Sequence, residues 1–443
     1  MALPGFVFSR FPATVLDDGT PDGPTAAWMY AASAAFHDSV QSDEQLRQAG
    51  ANVVRDARTY TSVYDEAAPD GFDGKAVPIA TFGTFPKQLN LGRDRFVDAH
   101  LITGVTVRPT HRRRGLLREL MTNDLHDAAE RGFGVALLTA SEASIYRRFG
   151  FGKASFTRVV RVDTGPRFAL LNQPAGRIEV VDPLWLAPRT EQLFTDFHRS
   201  TAGSLERTAR YKDSVLGAKP GETGPAASTR AAVHLTWDGT IDGYVTFRVE
   251  EGKLPGEQSR LEVIDLIWAS DDAYLGLWQH LASVDLMQLV RWDSAPIDDP
   301  LTWALRDSRC IAVESVEDML WVRILDVVSS FEARPYLGDG SVTIRVHDAL
   351  GYAAGDFRIE ISSGSSGPRD SAGSPTVTRL GDAGAADGID LELDASTLGS
   401  LLLGSVRPSV LARAGDATIA AGAAERLDAF FAPTATPYCI SHF

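Results

Sequence analysis

Apolar positions first recur at helical spacing over residues 26–40, where Trp28, Met29 and Phe36 stand among small residues and predict an early helix. Residues 59–64 and 77–85 are rich in β-branched and aromatic side chains and read as strands, joined by an Asp/Gly/Pro-rich connection over 65–75. The run from His100 to Pro109 reads as another strand, whose ladder pairing Pro109 ends. Directly after it, Leu116, Leu117, Leu120, Met121, Leu125 and Ala128 share one helical face. The resulting order is strand, short basic turn, helix.

A second cycle follows. Residues 156–163 read as the strand leaving the first unit, 183–198 as a helix, and 231–247 as a hairpin turning at Asp238-Gly239. A strand over 261–269 and a helix over 274–289 then repeat the strand–turn–helix order. Beyond residue 324 the texture changes to a short helix over 325–333, alternating strands over 341–346 and 356–362, a strand over 389–393, and helical patches over 397–403 and 409–414. The Ser/Gly-rich stretch 362–375 reads as a flexible low-complexity loop. Residues 437–443 read as the end of a flexible stretch, after a helix finishing near Phe431. The pattern predicts an α+β chain in three units, 1–160, 161–323 and 324–443. A length of 443 residues at about 150 per domain agrees.

Charge narrows the partners. Acidic residues outnumber basic ones 58 to 43, for a net charge of −15, which argues against a general nucleic-acid binder and favours a cationic partner. Cys310 and Cys439 are too few for a disulfide framework or a cysteine-built zinc site. The nine histidines show no HExxH spacing, so no metal is expected. Neither a secretory leader nor a run of about 18 apolar residues is readable, so the expectation is a cytoplasmic protein with no membrane span, secretion being left open.

The basic turn carries the first candidate chemistry. Thr110-His111-Arg112-Arg113-Arg114-Gly115 leads straight into the helix that starts at Leu116. Amide N–H groups at a helix N-terminus lack intrahelical acceptors and bind phosphate, and Gly115 lets an anion approach the backbone. Arginines beside it add charge-assisted hydrogen bonds to a pyrophosphate. A GxxxxGK[ST] loop is absent, so nucleotide hydrolysis is not supported. His111 reads as a solvated turn residue. In the second cycle the matching turn is Ser270-Asp271-Asp272-Ala273, whose carboxylates satisfy the same orphan amides, so this copy should bind no such cofactor. Further along, Tyr146 is either a packing residue or a proton donor, since a phenol of reference pKa about 10 suits protonation of a departing thiolate. Ser141 and Glu142 before it are either cofactor contacts or a helix-capping pair. Asp38, on the first helix, is either an ordinary surface carboxylate or one that attracts a cationic substrate.

Two segments carry a family resemblance. Val105-Thr106-Val107-Arg108-Pro109-x-x-Arg112-Arg113-Arg114-Gly115-x-Leu117 resembles the acetyl-CoA motif of GNAT acetyltransferases, with Leu117 where a small residue is commoner. Residues 140–152, Ala-Ser-Glu-Ala-Ser-Ile-Tyr-Arg-Arg-Phe-Gly-Phe-Gly, resemble the tyrosine segment of the Eis (enhanced intracellular survival) branch, as does the last residue, Phe443. The resemblance implies two tandem GNAT-like domains, the second degenerate, and a sterol-carrier-protein-like domain at the C-terminus. It implies acetyl-CoA held by Val105, Thr106, Val107, Arg112, Arg113, Arg114, Gly115, Leu116, Leu117 and Arg118, with Ser141 and Glu142 on its arm. It further implies Tyr146 as general acid, the Phe443 carboxylate as general base and Asp38 on the substrate side. The implied substrates are multi-amine compounds such as aminoglycosides, or lysine side chains, and the implied assembly is a homohexamer. His442 stands where better-known members carry a carboxylate, which puts aminoglycoside affinity in question. The competing reading is a non-catalytic scaffold whose last domain holds a lipid or other ligand.

Overall fold

The computed structural model describes residues 3–38, 42–71, 73–218, 226, 228–252, 259–362, 374–384 and 386–443. The first unit runs β1 (Phe6–Pro12), α1 (Gly23–Ala35), α2 (Asp43–Arg55), β2 (Thr59–Asp65), β3 (Ala80–Gly92), β4 (Arg95–Val107), α3 (Leu116–Glu130), β5 (Val135–Leu138), α4 (Ala143–Tyr146) and β6 (Gly152–Lys153). Asp22 caps α1 by accepting from the Thr25 amide. Ser42 and Gln45 form a reciprocal capping box that starts α2, a helix not anticipated from the sequence.

The second unit runs β7 (Phe156–Asp163), β8 (Arg177–Val181), α5 (Pro183–Leu186), α6 (Thr190–Ser200), α7 (Tyr211–Ser214), β9 (Thr229–Leu235), β10 (Ile241–Glu250), β11 (Arg260–Trp268), α8 (Asp271–Ala282), β12 (Leu289–Ala295), α9 (Leu301–Ala304) and β13 (Ile311–Asp318). The single helix expected over 183–198 is broken into α5 and α6 by a 3₁₀ turn containing Pro188. The helix expected over 274–289 stops at Ala282, because Leu286 takes a left-handed φ of 66° and β12 begins at Leu289.

The chain then returns. β14 (Trp321–Ile324) enters the first sheet, giving the order β1-β2-β3-β4-β5-β14-β6, while β7 stands in the second, β13-β7-β12-β11-β10-β9-β8. Each sheet therefore holds a strand across the junction from its neighbours in sequence. The last unit comprises α10 (Val327–Ala333), β15 (Gly340–His347), β16 (Gly355–Ser362), β17 (Ser374–Gly381), β18 (Leu391–Asp394), α11 (Ala395–Leu401), α12 (Pro408–Arg413), β19 (Ala417–Ile419) and α13 (Ala424–Phe430), with sheet order β17-β16-β15-β18-β19. Most of the low-complexity loop, residues 363–373, lies outside the described residues. Ile344, Phe357, Ile359 and Leu391 of this sheet share one buried cluster with Phe85, Leu89, Leu101 and Leu137 of the first. The apolar face of the last sheet is thus filled by the chain itself.

Candidate active site

β4 and β5 are parallel and pair only over Ala99–Leu101 and Val135–Leu137. Beyond Leu101, β4 keeps its antiparallel partner β3 as far as Val107, and on the β5 side the ladder simply ends. Burial follows the divergence, complete over Ala99–Ile102 and partial from Thr103 to Val107. The main-chain groups of Val105, Thr106 and Val107 therefore line a fork between the strands. On the β2–β3 side of β4, Trp28 of α1 stacks on Tyr60 with centroids 3.7 Å apart and donates to the Phe82 carbonyl at 3.2 Å. A Cβ on Gly104 would stand 2.5 Å from the Trp28 ring, so the bare backbone of β4 accommodates the indole. Trp28 was read from the sequence only as a burial residue.

The basic turn closes one end of the fork. Gly115 is the N-cap of α3 at φ 86°, with no side-chain cap, which leaves the first amides of the helix without a side-chain acceptor. Arg113 also takes a positive φ, 64°, so the turn curls its amides to one side. Arg112, Arg113, Arg114 and Arg118 are exposed, and among the described residues none forms an ion pair. In so acidic a chain, four adjacent unpaired guanidiniums make a focused positive site. Leu116 is buried and Leu117 half-buried against the cluster that seats α3. His111 corrects the expectation of a solvated residue. Its Nε2 lies 3.1 Å from the Asp65 carboxylate, a bond that holds Asp65 below the usual carboxylate range and ties the turn to β2.

Past β5 the chain passes Thr139 and Ala140 into α4. Ser141 and Glu142 are exposed, and Glu142 is the N-cap of α4 without a side-chain capping bond. Tyr146, 7% exposed, packs edge-on against Phe151. Burial, and secondarily the Glu142 charge, push its phenol above 10, so it stays protonated. Asp38 is exposed at the end of α1, its amide bonded to the Ser33 carbonyl.

The C-terminal segment is not the flexible end expected from the sequence. Tyr438, Cys439, Ile440 and Ser441 are all buried. Tyr438 and Ile440 enter the core of the second unit, and Cys439 between them enters the core shared by the first and last. Such alternation is that of an extended strand laid in a seam. Ser441 donates to the Leu205 carbonyl at 2.8 Å. Tyr211 of α7 donates to the Ile440 carbonyl (3.2 Å) and accepts from the His442 amide (2.6 Å). Phe443 is thereby delivered to the fork. Its ring meets Phe85 edge-on at 5.9 Å, and its main-chain oxygen accepts from Thr139 Oγ1 at 3.4 Å. Thr139, Phe85 and Tyr211 carried no sequence signal, because their roles depend on where a distant segment lands.

The second unit has the corresponding elements, filled. β11 and β12 are parallel and pair only at Leu261–Val290 and Glu262–Arg291. There Tyr438 packs against Trp268 and its hydroxyl donates to the Ser294 carbonyl. At the start of α8, Ser270 accepts from the Ala273 amide, and Asp271 and Asp272 supply the negative charge. One fork is plugged by Tyr438 and its helix capped; at the other the strands part beyond Leu101 and the helix has no side-chain cap.

Comparison with known proteins agrees with this geometry. Residues 22–154 match an acetyltransferase (GNAT) domain family, 203–324 a second acetyltransferase (GNAT) domain family, and 327–440 the sterol carrier protein domain family. The chain is 34% identical over 433 residues to an uncharacterized N-acetyltransferase of Streptomyces griseus, covering 94% of this chain and 96% of the relative. It is 32% identical over 341 residues to the N-acetyltransferase Eis of Mycobacterium tuberculosis, covering 74% and 76% respectively. Among solved structures, Eis1 from Mycobacterium abscessus superposes with a TM-score of 0.73 at 27% identity, over 99% of this chain and 100% of that one. A GCN5-related N-acetyltransferase from Anabaena variabilis shares the fold with a TM-score of 0.76 at 20% identity, over 99% and 100%.

Proposed function

Because the chain belongs to the Eis family of GNAT N-acetyltransferases, we propose that it transfers acetyl from acetyl-CoA to an amine by direct attack, without an acyl-enzyme. The parting of β4 from β5 beside an uncapped, arginine-flanked helix start is the observation that carries this reading. The residues fit the co-substrate. Orphan amides at Gly115, Leu116 and Leu117, with Arg112, Arg113, Arg114 and Arg118, would hold its pyrophosphate; Val105, Thr106 and Val107 would line its arm, with Ser141 and Glu142 at the other wall. Acetyl-CoA supplies the acetyl group as an activated thioester. Tyr146, buried and protonated, would give a proton to the departing sulfur. The α-carboxylate of Phe443 would take the proton from the attacking amine, directly or through water.

The acceptor is a multi-amine compound of aminoglycoside type or a lysine side chain. The net charge of −15 supports a cationic substrate, and exposed Asp38 would be one of its contacts. Assembly is a homo-oligomer, a hexamer by family resemblance. Trp237 and Trp303, 81% and 82% exposed, supply apolar surface for it, and native mass measurement reads the subunit number. Among the described residues no helix is long and apolar enough to cross a membrane. Carriage of a lipid by the last domain is less favoured, since its sheet face is packed against the first unit. The test of the whole reading is thiol release from acetyl-CoA across aminoglycosides, polyamines and lysine peptides. An intact protein that releases thiol with none of them defeats it.

Cofactor affinity offers a separate check. In Gly115→Asp a Cβ residue must adopt φ 86°, and its carboxylate competes for the helix amides. The new side chain points toward Leu3, whose methyl carbons stand 3.7 Å from where its Cβ would lie, so strain and charge act rather than a direct clash with pyrophosphate. Each lost phosphate contact is worth about 1.5–3 kcal/mol, so calorimetry should show acetyl-CoA binding weakened at least tenfold. Unchanged affinity would remove the phosphate assignment.

A further inference from the structure

α4 is a single turn of four residues with no side-chain N-cap, too short to fix its own direction, and at its other end Arg148 donates to the Ile145 carbonyl at 3.0 Å. Ile145 and Tyr146 pack into the core of the first unit, and the residue that follows is tied to the last domain. Arg147, the residue after Tyr146, makes a bidentate pair with Asp416, Nη1 to Oδ2 at 3.0 Å and Nη2 to Oδ1 at 2.8 Å. The same guanidinium lies 3.7 Å from Asp394, the N-cap of α11. A few residues on, Gly152 meets α11 backbone to backbone, and a Cβ there would stand 1.8 Å from the Ser396 carbonyl. The tyrosine segment is thus held at its start by β5 and at its end by the sterol-carrier-like domain.

We propose that this domain is a positioning element for the acid, with the Arg147–Asp416 pair as the clamp that aims Tyr146. The inference rests on Tyr146 being the general acid. Both partners are partly exposed, 50% and 31%, and a pair at that exposure contributes little to stability. Two parallel bonds to a planar fork nevertheless define direction. Asp416 is a positioning residue that acts through Arg147.

The test is a double-mutant cycle in the thiol-release assay, with the best acceptor of the amine panel. Asp416→Ala should lower kcat by about tenfold, since small misplacements of a reacting group are costly, with KM for acetyl-CoA and Tm unchanged. In a Tyr146→Phe background the same substitution should have no further effect, because there is no proton left to aim. The exchanged pair, Arg147→Asp with Asp416→Arg, should recover most of the loss. Unchanged kcat in Asp416→Ala overturns the clamp, and so does an equal loss with or without the Tyr146 hydroxyl. If Tyr146→Phe alone leaves turnover intact, the acid assignment itself falls, a result distinguishable from failure of the clamp. Should Asp416→Ala lower Tm, Asp416→Asn keeps the shape without the charge and is judged by the same outcomes.

Discussion

A chain extended beyond Phe443 by an affinity tag, or shortened by that one residue, is expected to lose acetylation by about 10²–10⁴-fold, the usual worth of a general base. The amine arrives mostly as an ammonium and must shed a proton before or during attack. Burial of Tyr438, Ile440 and Ser441 and the two bonds from Tyr211 hold the tail, and the Thr139 hydroxyl meets the Phe443 oxygen at its end. A tag turns that carboxylate into an amide, which is no base, and threads new chain through the fork. Removing Phe443 moves the carboxylate back to His442 and forfeits the edge-on contact with Phe85. Tm should change little in the shortened protein, because the buried anchors upstream remain. An N-terminal tag is the control. It should leave kcat intact, with any change confined to KM for acetyl-CoA, since Leu3 packs beside Gly115. Steady-state kinetics on the three proteins decide; full activity with a C-terminal extension would leave the base to another group.

Tyr146→Phe keeps the ring against Phe151 and removes the proton donor. Turnover should fall by about 10²–10⁴-fold while acetyl-CoA affinity is nearly intact. Burial and the Glu142 charge raise the phenol pKa, so in the parent enzyme the acid form persists through neutral and mildly alkaline pH. The sign follows: the loss should be the same from about pH 6 to about pH 9, with no limb in that range assignable to the phenol. A pH–rate comparison of the two proteins measures both features. Equal turnover with an intact fold would make Tyr146 a packing residue.

Much of the scaffold was legible because local signals and tertiary demands coincide there. Strand β4, the basic turn and α3 follow directly from a β-branched run, a glycine and one apolar helical face. The hairpin at Asp238-Gly239 forms because Gly239 takes the positive φ that the turn requires. Other elements were not anticipated. α2 was overlooked although Leu46, Ala49 and Val53 recur at helical spacing and its capping box was readable as well. β12 was missed, since the helical reading ended at Leu289, its first residue, and the short run after it was given no element. At the site, the arginine turn and the tyrosine segment were visible as contiguous residues. The partners that converge from elsewhere were not: Trp28 against Gly104, Tyr211 on the tail, Thr139 beneath Phe443. His111 was misread because its partner, Asp65, lies far away in sequence. The tail was misread because Tyr438, Cys439 and Ile440 bury alternately into two separate cores, a pattern that a seam between domains explains.

The return of β14 to the first sheet has a consequence for how the protein is made. β5 ends at Leu138, and its antiparallel neighbour begins only at Trp321. At about 5–20 residues per second, the ribosome leaves a nascent first sheet waiting roughly 10–40 s for that strand. Throughout the delay β5, entirely apolar, shows an open edge able to pair with another chain. β7, already synthesised, meanwhile awaits its own neighbours β12 and β13. Productive folding is therefore largely post-translational, and an isolated N-terminal piece should collect in inclusion bodies unless a chaperone shields that edge.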